Sequence, residues 1–253
     1  MDSNLTINKI NKTRINLKKY LNNEWNTESI YDYSDSEIEK LYRLSKPLNS
    51  KIHFGSASGC NFTLNHKDIP SHKLHVIYYN FPEIGKNSVK INKTCADKLN
   101  NLYNESIISP EDSLIIILYN KLTENLSKSM EDLYINGQDE LSRNGLSEEI
   151  NQENEKLENK YSNTHFRNIH VYHLDSLAID ITLHSKVPKH ESIRFQKNID
   201  EILEKCNARI NQLPVILRND AMAKRLRLAP GDICKIIRIT RTAGEIEYYR
   251  VCR

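Results

Sequence analysis

Apolar residues recur every three or four positions in the N-terminal part of the chain, and this spacing predicts helices. Leu17, Leu21 and Trp25 are four residues apart and would share one face of a helix. A second helix is predicted to begin just after Ser34, because a glutamate follows this serine by three positions, as in a capping box. We therefore predict helical structure over residues 13–46, in two segments.

The spacing changes after residue 50 to short, continuous apolar runs. Residues 73–81 and 113–120 are rich in isoleucine and tyrosine and predict two buried strands. Helical spacing returns between them, over residues 95–104, and again over 124–134. Strands that alternate with helices are typical of an α/β unit.

The C-terminal third has the most regular pattern. Residues 166–174 alternate as a half-buried strand does, and residues 195–206 place their apolar side chains on one helical face. Asp220 can cap a short helix over residues 221–226. These elements predict a small mixed α/β unit.

A β-hairpin is predicted at the C-terminal end of the sequence. Residues 229–232 read Ala-Pro-Gly-Asp, in which proline presets one turn residue and glycine supplies the positive φ of the next. Two arms rich in apolar and basic residues follow, over 232–240 and 245–252, with Thr242, Ala243 and Gly244 at the tip.

Charge divides the chain into an acidic middle and a basic end. Residues 131–160 contain nine acidic and three basic side chains, a net charge of −6, whereas residues 205–253 have a net charge of +7. Few large apolar residues occur over 136–165, so this region is predicted to be a solvated loop, linker or exposed helix. The predicted division is therefore 1–135, 136–165 and 166–253.

Composition favours a soluble, intracellular protein. No secretory signal pattern is present in the first residues. The longest apolar run, Leu114–Leu118, is too short to cross a bilayer. The five cysteines are scattered without a Cys-x-x-Cys pair, which fits a reducing compartment. The net charge of +3 over 253 residues is too small for a protein that coats nucleic acid.

Candidate chemistry is sparse. A nucleophile elbow, a P-loop and a dinucleotide fingerprint are absent from the sequence. His165, His170 and His173 form a loose cluster, but His170 and His173 would point to opposite faces of a strand, so we interpret them as surface or interface histidines. Glu83 and Lys86 suggest a metal-dependent nuclease only faintly, since an upstream strand carboxylate is lacking. We predict no catalytic residue, metal or cofactor.

The basic C-terminal end is open to three interpretations from its residues alone. Its Lys and Arg side chains could contact nucleic-acid phosphates. They could equally solvate a hairpin and a short helix, or pair with carboxylates at a protein interface. The residues by themselves favour a binding protein over an enzyme.

Four motifs in order then resemble one known family. Residues 184–190 fit its H-x-x-V-P-K-H loop, and residues 212–220 fit Q-L-P-x-I followed by an aspartate. Residues 228–238 fit G-L-x-x-G-x-V-V-K-I-I-R, and residues 242–250 fit T-A-G with a later Tyr-Arg. Together they resemble the assembly domain of the fifth shared subunit of the eukaryotic nuclear RNA polymerases, a domain that by itself makes up the archaeal counterpart.

Several positions depart from the family pattern. Ala221 stands where the family has proline, and Ile239 and Arg241 stand where it tends to have proline and glutamate. The N-terminal half resembles the family's jaw domain more weakly, because Glu24-Trp25-Asn26 replaces its Arg-Gly-Tyr. Thr123 matches the start of the jaw's Thr-Pro-Ser-Ala loop, whereas the next three residues do not. The charge reversal at Arg241 suggests a different partner surface and a divergent polymerase.

The resemblance implies an α/β (α+β) fold with two domains. An N-terminal α/β jaw domain would occupy 1–135, an acidic insertion 136–165, and a small mixed α/β assembly domain ending in a hairpin 166–253, with the strongest match over 175–253. It implies a non-catalytic subunit of DNA-dependent RNA polymerase that docks on the largest subunit and contacts other polymerase subunits. The alternative is a free-standing basic protein that binds nucleic acid.

The resemblance also implies site residues and a location. The predicted interface residues are Val187, Pro188, Lys189, His190, Arg238, Thr242, Gly244, Tyr249 and Arg250. The predicted DNA-proximal residues of the jaw, which would contact phosphates of downstream duplex DNA, are Lys121, Thr123 and Lys128. Homo-oligomers and membrane contact are not expected. The presence of a jaw suggests a eukaryotic-type polymerase, and the bias towards Asn, Lys and Ile suggests an AT-rich protist or a large DNA virus. The expected location is the nucleus for a cellular polymerase, and a virion or a cytoplasmic viral factory for a viral one.

Overall fold

Two four-stranded sheets organise the molecule. The computed structural model of the chain describes residues 3–44, 55–84, 86, 94–242 and 244–253. The predicted mixture of helices and strands is confirmed, and each sheet packs against its own set of helices.

The first sheet has the strand order β1-β2-β3-β4, with β1 antiparallel to β2 and the other neighbours parallel. Its strands are β1 (Phe62–Asn65), β2 (Lys73–Tyr79), β3 (Ser113–Leu118) and β4 (Ile169–His173). All six residues of β3 are buried, as expected for a parallel strand covered on both faces. The two strands predicted around residues 73–81 and 113–120 are thus confirmed.

Helices cover both faces of the first sheet. They are α1 (Ser3–Leu21), α2 (Asp35–Arg43), α3 (Thr94–Asn104) and α4 (Glu124–Asn144). A further helix, α5 (Glu148–Lys156), packs on the connection between β1 and β2. Residues of α1 and α2 share one core with Val76, Ile115 and Ile117, whereas residues of α3 and α4 share another with Ile77 and Ile116. Alternate residues of one strand therefore enter opposite cores, which makes this part a three-layer α/β domain.

The helices near the N-terminus differ in detail from the prediction. α1 begins at Ser3, ahead of the predicted start, because Ile7 and Ile10 are buried and extend its apolar stripe. Trp25 lies beyond the helix end, in an isolated bridge with His66. The capping box before α2 is confirmed: the Ser34 side chain accepts from Glu37 N, and the Glu37 carboxylate accepts from Ser34 N at 2.8 Å.

The second sheet has the strand order β5-β7-β8-β6. Its strands are β5 (Lys189–Ile193), β6 (Val215–Ile216), β7 (Ile233–Thr240) and β8 (Gly244–Cys252). α6 (Leu174–Ala178) follows β4 and packs in the core that contains α1, whereas α7 (Gln196–Lys205) and α8 (Ala221–Arg225) pack on the second sheet. The predicted hairpin of β7 and β8 and the capped short helix α8 are confirmed; the tip residue Ala243 lies outside the described residues.

The acidic region 136–165 is largely helical and mostly exposed, which agrees with the exposed helix among the predicted alternatives, but its few apolar side chains are buried. α4 continues through residue 136 without a break, and α5 follows after a short connection. The buried side chains form one cluster with the connection between β1 and β2: Ile69, Leu141, Ile150, Tyr161 and Phe166. A thin apolar stripe is enough here, because the segment packs on an existing domain and does not have to build a core of its own.

The strand predicted over residues 166–174 is present, but it does not belong with the C-terminal residues. β4 pairs in parallel with β3, from Leu114 opposite Ile169 to Leu118 opposite His173. The structure therefore places this strand in the first sheet. Pairing partners that are distant in sequence decided its position, and half-buried alternation does not reveal them.

The histidines of the predicted surface cluster are mostly internal. His165 and His170 are buried, which corrects their interpretation as surface or interface residues. The ring of His165 lies 5.4 Å from that of His66 and 5.7 Å from that of His72. Trp25 packs edge-on against His66 and His72 at 5.0 Å. These rings form an internal aromatic cluster rather than a ligand set.

Buried arginines join the two halves of the molecule. Arg218 donates to Asn168 Oδ1 at 2.9 Å and lies over the ring of Tyr134 at 3.8 Å. Arg225 donates to the carbonyl oxygens of Ser176 at 2.8 Å and Ile179 at 3.1 Å. The two guanidinium groups thus donate to oxygen atoms of the first part of the chain.

Candidate docking site on the C-terminal hairpin

The hairpin of β7 and β8 is covered at its base and open towards its tip. At the base, Ile199 and Ile202 of α7 pack on Ile233 and Val251, while Ala223 of α8 belongs to the cluster on the other face. Towards the tip, Ile239 is 85% exposed. The outer half of the hairpin is thus left uncovered by this part of the fold, and it exposes Ile239 among polar and charged residues.

A groove lies between the outer end of β7 and the segment that precedes β5. Its volume is about 740 Å³. It is lined by Ser185, Lys186, Val187, Pro188, Lys189, Ile237, Arg238, Ile239, Thr240 and Glu245. The pairing of β5 with β7, Lys189 opposite Ile237, holds the two walls of the groove together.

The walls of the groove are predominantly basic. Lys186, Lys189 and Arg238 are exposed on it, and Glu245 is the acidic residue of the lining. Lys189 Nζ also contacts a carboxylate oxygen of Glu191 at 2.6 Å. An exposed pair of this kind contributes little to stability. The groove therefore combines positive charge with exposed aliphatic surface.

An ion-pair network fastens the hairpin to α7. The Glu247 carboxylate accepts from Lys205 at 2.9 Å and from the Tyr249 hydroxyl at 2.6 Å, and it contacts Lys235 at 2.5 Å. Hydrogen bonds from Lys235, Tyr249 and Lys205 lower the pKa of Glu247 to about 2. The carboxylate is therefore ionised at neutral pH, and it fixes the direction in which the hairpin projects.

Asp232 organises the turn at the base of the hairpin. Its carboxylate accepts from Ala229 N at 2.9 Å and lies 3.3 Å from Arg194 Nε. Burial raises the pKa of Asp232 to about 6, although Arg194 opposes this shift. Gly231 has φ +99°, a conformation that favours glycine, as the turn prediction required.

The structure brings together some of the predicted interface residues. Val187, Pro188, Lys189 and Arg238 line the groove. His190 is half-buried, and its Nδ1 lies 2.7 Å from the carbonyl oxygen of Pro188. These residues form one continuous surface.

Other predicted interface residues lie elsewhere on the hairpin. Thr242 and Gly244 are exposed at the tip. Tyr249 belongs to the Glu247 network on the face covered by α7, and Arg250 donates to the carbonyl oxygen of Val215 at 3.1 Å. Tyr249 and Arg250 are adjacent on a strand and so point to opposite faces.

The predicted interface residues include four of the ten that line the groove, and Lys186 and Ile239 are among the six that they omit. Lys186 is one of the variable positions inside the 184–190 motif, and Ile239 stands out in the sequence only as a departure from the family pattern. Ile239 could have been found from the sequence because it replaces the proline of the family pattern on a predicted strand. Unlike proline, isoleucine has a backbone N–H that can form a hydrogen bond.

The predicted DNA-proximal residues lie around the start of α4. Lys121 and Lys128 are exposed, and Thr123 is the N-cap of the helix, with its hydroxyl accepting from Leu126 N at 3.3 Å. Thr123 therefore has a structural role that is independent of any ligand. The two lysines surround a helix N-terminus, which itself favours anions.

Neither a metal centre nor a membrane span stands out in the described part of the chain. The described ranges contain no group of three or more His, Cys, Asp or Glu side chains placed to hold a metal ion. No described helix is both long and apolar enough to cross a bilayer.

The C-terminal part of the fold is thus a small sheet, fixed to the rest of the molecule, with a projecting hairpin and an open groove. A comparison with protein-family models identifies the family of this part of the chain. The model described as RNA polymerase Rpb5, C-terminal domain, matches residues 179–252. The chain belongs to the Rpb5 family of DNA-directed RNA polymerase subunits.

Individual relatives agree with the family model. DNA-directed RNA polymerase subunit Rpo5 of Methanococcus maripaludis is 42% identical over 71 residues, which span 28% of this chain and 90% of the relative. Rpo5 of Saccharolobus solfataricus is 43% identical over 75 residues, 28% of this chain and 84% of the relative. The Dictyostelium discoideum protein "DNA-directed RNA polymerases I, II, and III subunit rpabc1" is 37% identical over 76 residues, 30% of this chain and 38% of the relative.

Proposed function

We propose that this chain is a non-catalytic subunit of a DNA-dependent RNA polymerase and that it docks on the largest subunit through its C-terminal hairpin. Catalysis then belongs to the other subunits, and this chain contributes assembly and position. The match of the family model to residues 179–252, which include the whole hairpin, carries the proposal. Ile239, which is 85% exposed beside the open groove, is available for burial in a partner.

The charge of the hairpin supports the same proposal. Arg238 lies over the ring of Tyr248 at 5.1 Å, which assembles a flat, half-hydrophobic surface on the face of the hairpin opposite to the Ile239 side chain. Tyr248 is 43% exposed. Tyrosine and arginine are the residue types that contribute most at the centres of protein interfaces, because they combine a large contact area with polar groups.

We further propose that the first sheet and its helices form the jaw, with Lys121 and Lys128 near phosphates of the downstream duplex. Such contacts would act on every template sequence, as transcription requires, because phosphates carry no base information. The location then follows the polymerase: the nucleus of a cell, or a virion or viral factory for a viral enzyme.

Native purification tests the proposed function. The chain would be tagged at its N-terminus, far in sequence from the hairpin, and the co-purifying proteins would be identified and assayed for template-dependent RNA synthesis. Two very large subunits in equal amounts, with activity, are expected. A chain that elutes alone and binds DNA with a steep salt dependence would instead support the free-standing nucleic-acid-binding protein.

A double variant at the exposed surface sharpens this test. Arg238→Glu with Tyr248→Ala should strongly reduce the recovery of the large subunits. Arg209→Glu changes an exposed arginine outside the groove lining and serves as the control. Equal recovery from both variants would contradict docking through the hairpin, even if the chain remained a polymerase subunit.

A further inference from the structure

The outer end of β7 has an open edge in the described part of the chain. β7 pairs with β8 along its whole length, from Ile233 to Thr240. On its other side it pairs with β5 only up to Ile237, which lies opposite Lys189. Within the described residues, the β5 ladder therefore stops before Ile239, which lines the groove. Val187, which continued pairing would place opposite Ile239, donates its N–H to the carbonyl oxygen of His184 at 2.9 Å instead.

The alternation of the ladder decides which backbone groups point to this edge. Cys252 N donates to the Asp232 carbonyl at 2.8 Å, so residue 232 faces β8. In an antiparallel pair the residues alternate between facing the partner and facing away. Residues 233, 235, 237 and 239 then face away from β8, and the N–H and C=O groups of Ile239 point into the groove.

A second contact confirms the alternation from the other strand. Val251, which lies opposite Ile233, donates its N–H to Pro214 at 2.9 Å, on the side of β8 away from β7. Ile239 lies opposite Glu245 in the same register, so the backbone groups of these two residues point to opposite edges of the hairpin. They form a matched pair for an experiment.

The chemistry of the groove specifies what could fill it. Lys186, Lys189 and Arg238 outnumber the one acidic residue of the lining, Glu245, and the Ile239 side chain offers aliphatic surface. Charge complementarity therefore favours a segment with carboxylates and apolar side chains over a nucleic acid, which has no aliphatic side chains to place on Ile239. Exposed edges of this kind are templates for an added strand.

We infer that the open edge of β7 receives an extended acidic segment of another polymerase subunit, which adds a strand beside Ile239 and places its carboxylates against Lys186, Lys189 and Arg238. This inference rests on the proposed function, since it names how the docking occurs. The proline of the family pattern at this position would remove the N–H, so the added strand is a property of this chain's own Ile239.

Hydrogen exchange in the assembled polymerase tests the added strand. The assembly, purified through the N-terminal tag, and the free chain would be compared by exchange resolved to single amides. The Ile239 amide should exchange at least tenfold more slowly in the assembly, whereas the Glu245 amide should change little. Protection of Glu245 alone, or of neither amide, would overturn the inference.

Two substitutions at residue 239 separate the backbone from the side chain. Ile239→Pro removes the N–H without breaking a β8 pair and should weaken retention of the large subunits about tenfold. Ile239→Val keeps the N–H and a branched side chain and should retain them. If the proline variant assembles as tightly as the valine variant, no strand is added at this edge.

A charge reversal tests the acidic character of the segment. Lys186→Glu, in the groove, should weaken the assembly and make it less sensitive to salt, and Lys197→Glu, exposed on α7, should not. Equal effects of both reversals would overturn the acidic partner. Failure of any large subunit to co-purify with the unmodified chain would refute the proposed function itself, whereas assembly without these effects refutes only the added strand.

Discussion

Arg227 lies over the indole ring of Trp25, with its Cζ 5.2 Å from the ring centre, and this contact joins the C-terminal unit to the first domain. Arg227 donates through Nη2 to the carbonyl of Asn168 at 3.2 Å, and Asn168 Nδ2 donates to the carbonyl of Arg227 at 2.9 Å. Burial lowers the pKa of Arg227 to about 9. The guanidinium nevertheless stays charged at neutral pH, with a ring face and a carbonyl as its partners.

Removal of the indole should therefore destabilise the whole chain. We expect Trp25→Ala to cost about 3–5 kcal/mol of unfolding free energy, because a fully buried ring is lost and Arg227 loses its cation–π partner. Tyr31→Ala is the control, since Tyr31 is 65% exposed and should change stability by less than about 0.5 kcal/mol. Urea unfolding of both variants measures the difference, and equal midpoints would contradict the role of Trp25.

Gly137 should not tolerate a methyl group, although alanine favours helices. A Cβ at this position in α4 would lie 2.7 Å from Arg167 Cδ and 2.9 Å from its Cζ. Arg167 is buried, with its Nη1 on Glu140 at 2.7 Å and its Cζ 4.1 Å from the ring centre of Tyr103, so it cannot easily move.

We expect Gly137→Ala to destabilise the protein by about 1–3 kcal/mol through overpacking, which outweighs a helix-propensity gain of about 1 kcal/mol. The neighbouring, exposed Asn136→Ala should be neutral or slightly stabilising. Thermal unfolding of the two variants distinguishes the effects. A Gly137→Ala variant as stable as the parent would mean that the Arg167 side chain can adopt another conformation without loss of stability.

Stability should fall as the pH decreases below about 6.5. Burial lowers the pKa of His66 to about 4, and burial also lowers the pKa values of His72, His165 and His170 well below 6.5. In this range the unfolded chain binds protons that the folded chain does not, so acid favours unfolding by up to about 1.4 kcal/mol per pH unit for each histidine. Asp232, with its pKa raised to about 6, opposes this trend between about pH 6 and 4, because the folded state then holds the extra proton.

A variant of the histidine cluster measures the contribution of one imidazole. His165→Phe should reduce the slope of the unfolding free energy against pH between pH 6.5 and 4.5, by the contribution of about one proton. Phe166→Leu alters the packing of the same region without removing a titrating group, and its slope should equal that of the parent. Equal slopes for both variants would mean that His165 gains a proton in the folded state.

The lysines at the start of α4 should affect DNA binding by the assembled polymerase through salt-dependent attraction. Lys121→Glu combined with Lys128→Glu should weaken binding to downstream duplex DNA and reduce the logarithmic salt slope by about 1 for each phosphate contact that is lost. Lys156→Glu, exposed at the end of α5, is the control. Filter binding at several salt concentrations measures both quantities. Unchanged salt slopes would mean that Lys121 and Lys128 do not contact phosphates of the downstream duplex.

Much of the secondary structure could be predicted from local patterns. The strands around Ile77 and Ile116, the capping box at Ser34, the helix after Asp220 and the hairpin after Gly231 all depend on neighbouring residues, and all are present. The family was also visible in the sequence, because its motifs are short, ordered and close together.

The candidate site was only partly visible from the sequence. The motif around Val187 and the arm around Arg238 are both recognisable there, but the groove between them depends on the pairing of β5 with β7. The open edge at Ile239 depends on where that pairing stops. How far β5 extends along β7 is decided by the tertiary structure, and no local sequence pattern encodes it.

The sequence by itself determined the elements whose causes lie within a few residues: helical stripes, caps, the Pro-Gly turn and the two arms of the hairpin. Only the tertiary structure decided that β4 joins the first sheet, that acidic helices pack on the connection at Ile69, and that His165 and Arg227 are internal. The physical reason is that burial of a polar or charged side chain requires partners from distant parts of the chain. Carbonyl oxygens and aromatic rings supplied those partners here, and their convergence exists only in the folded molecule.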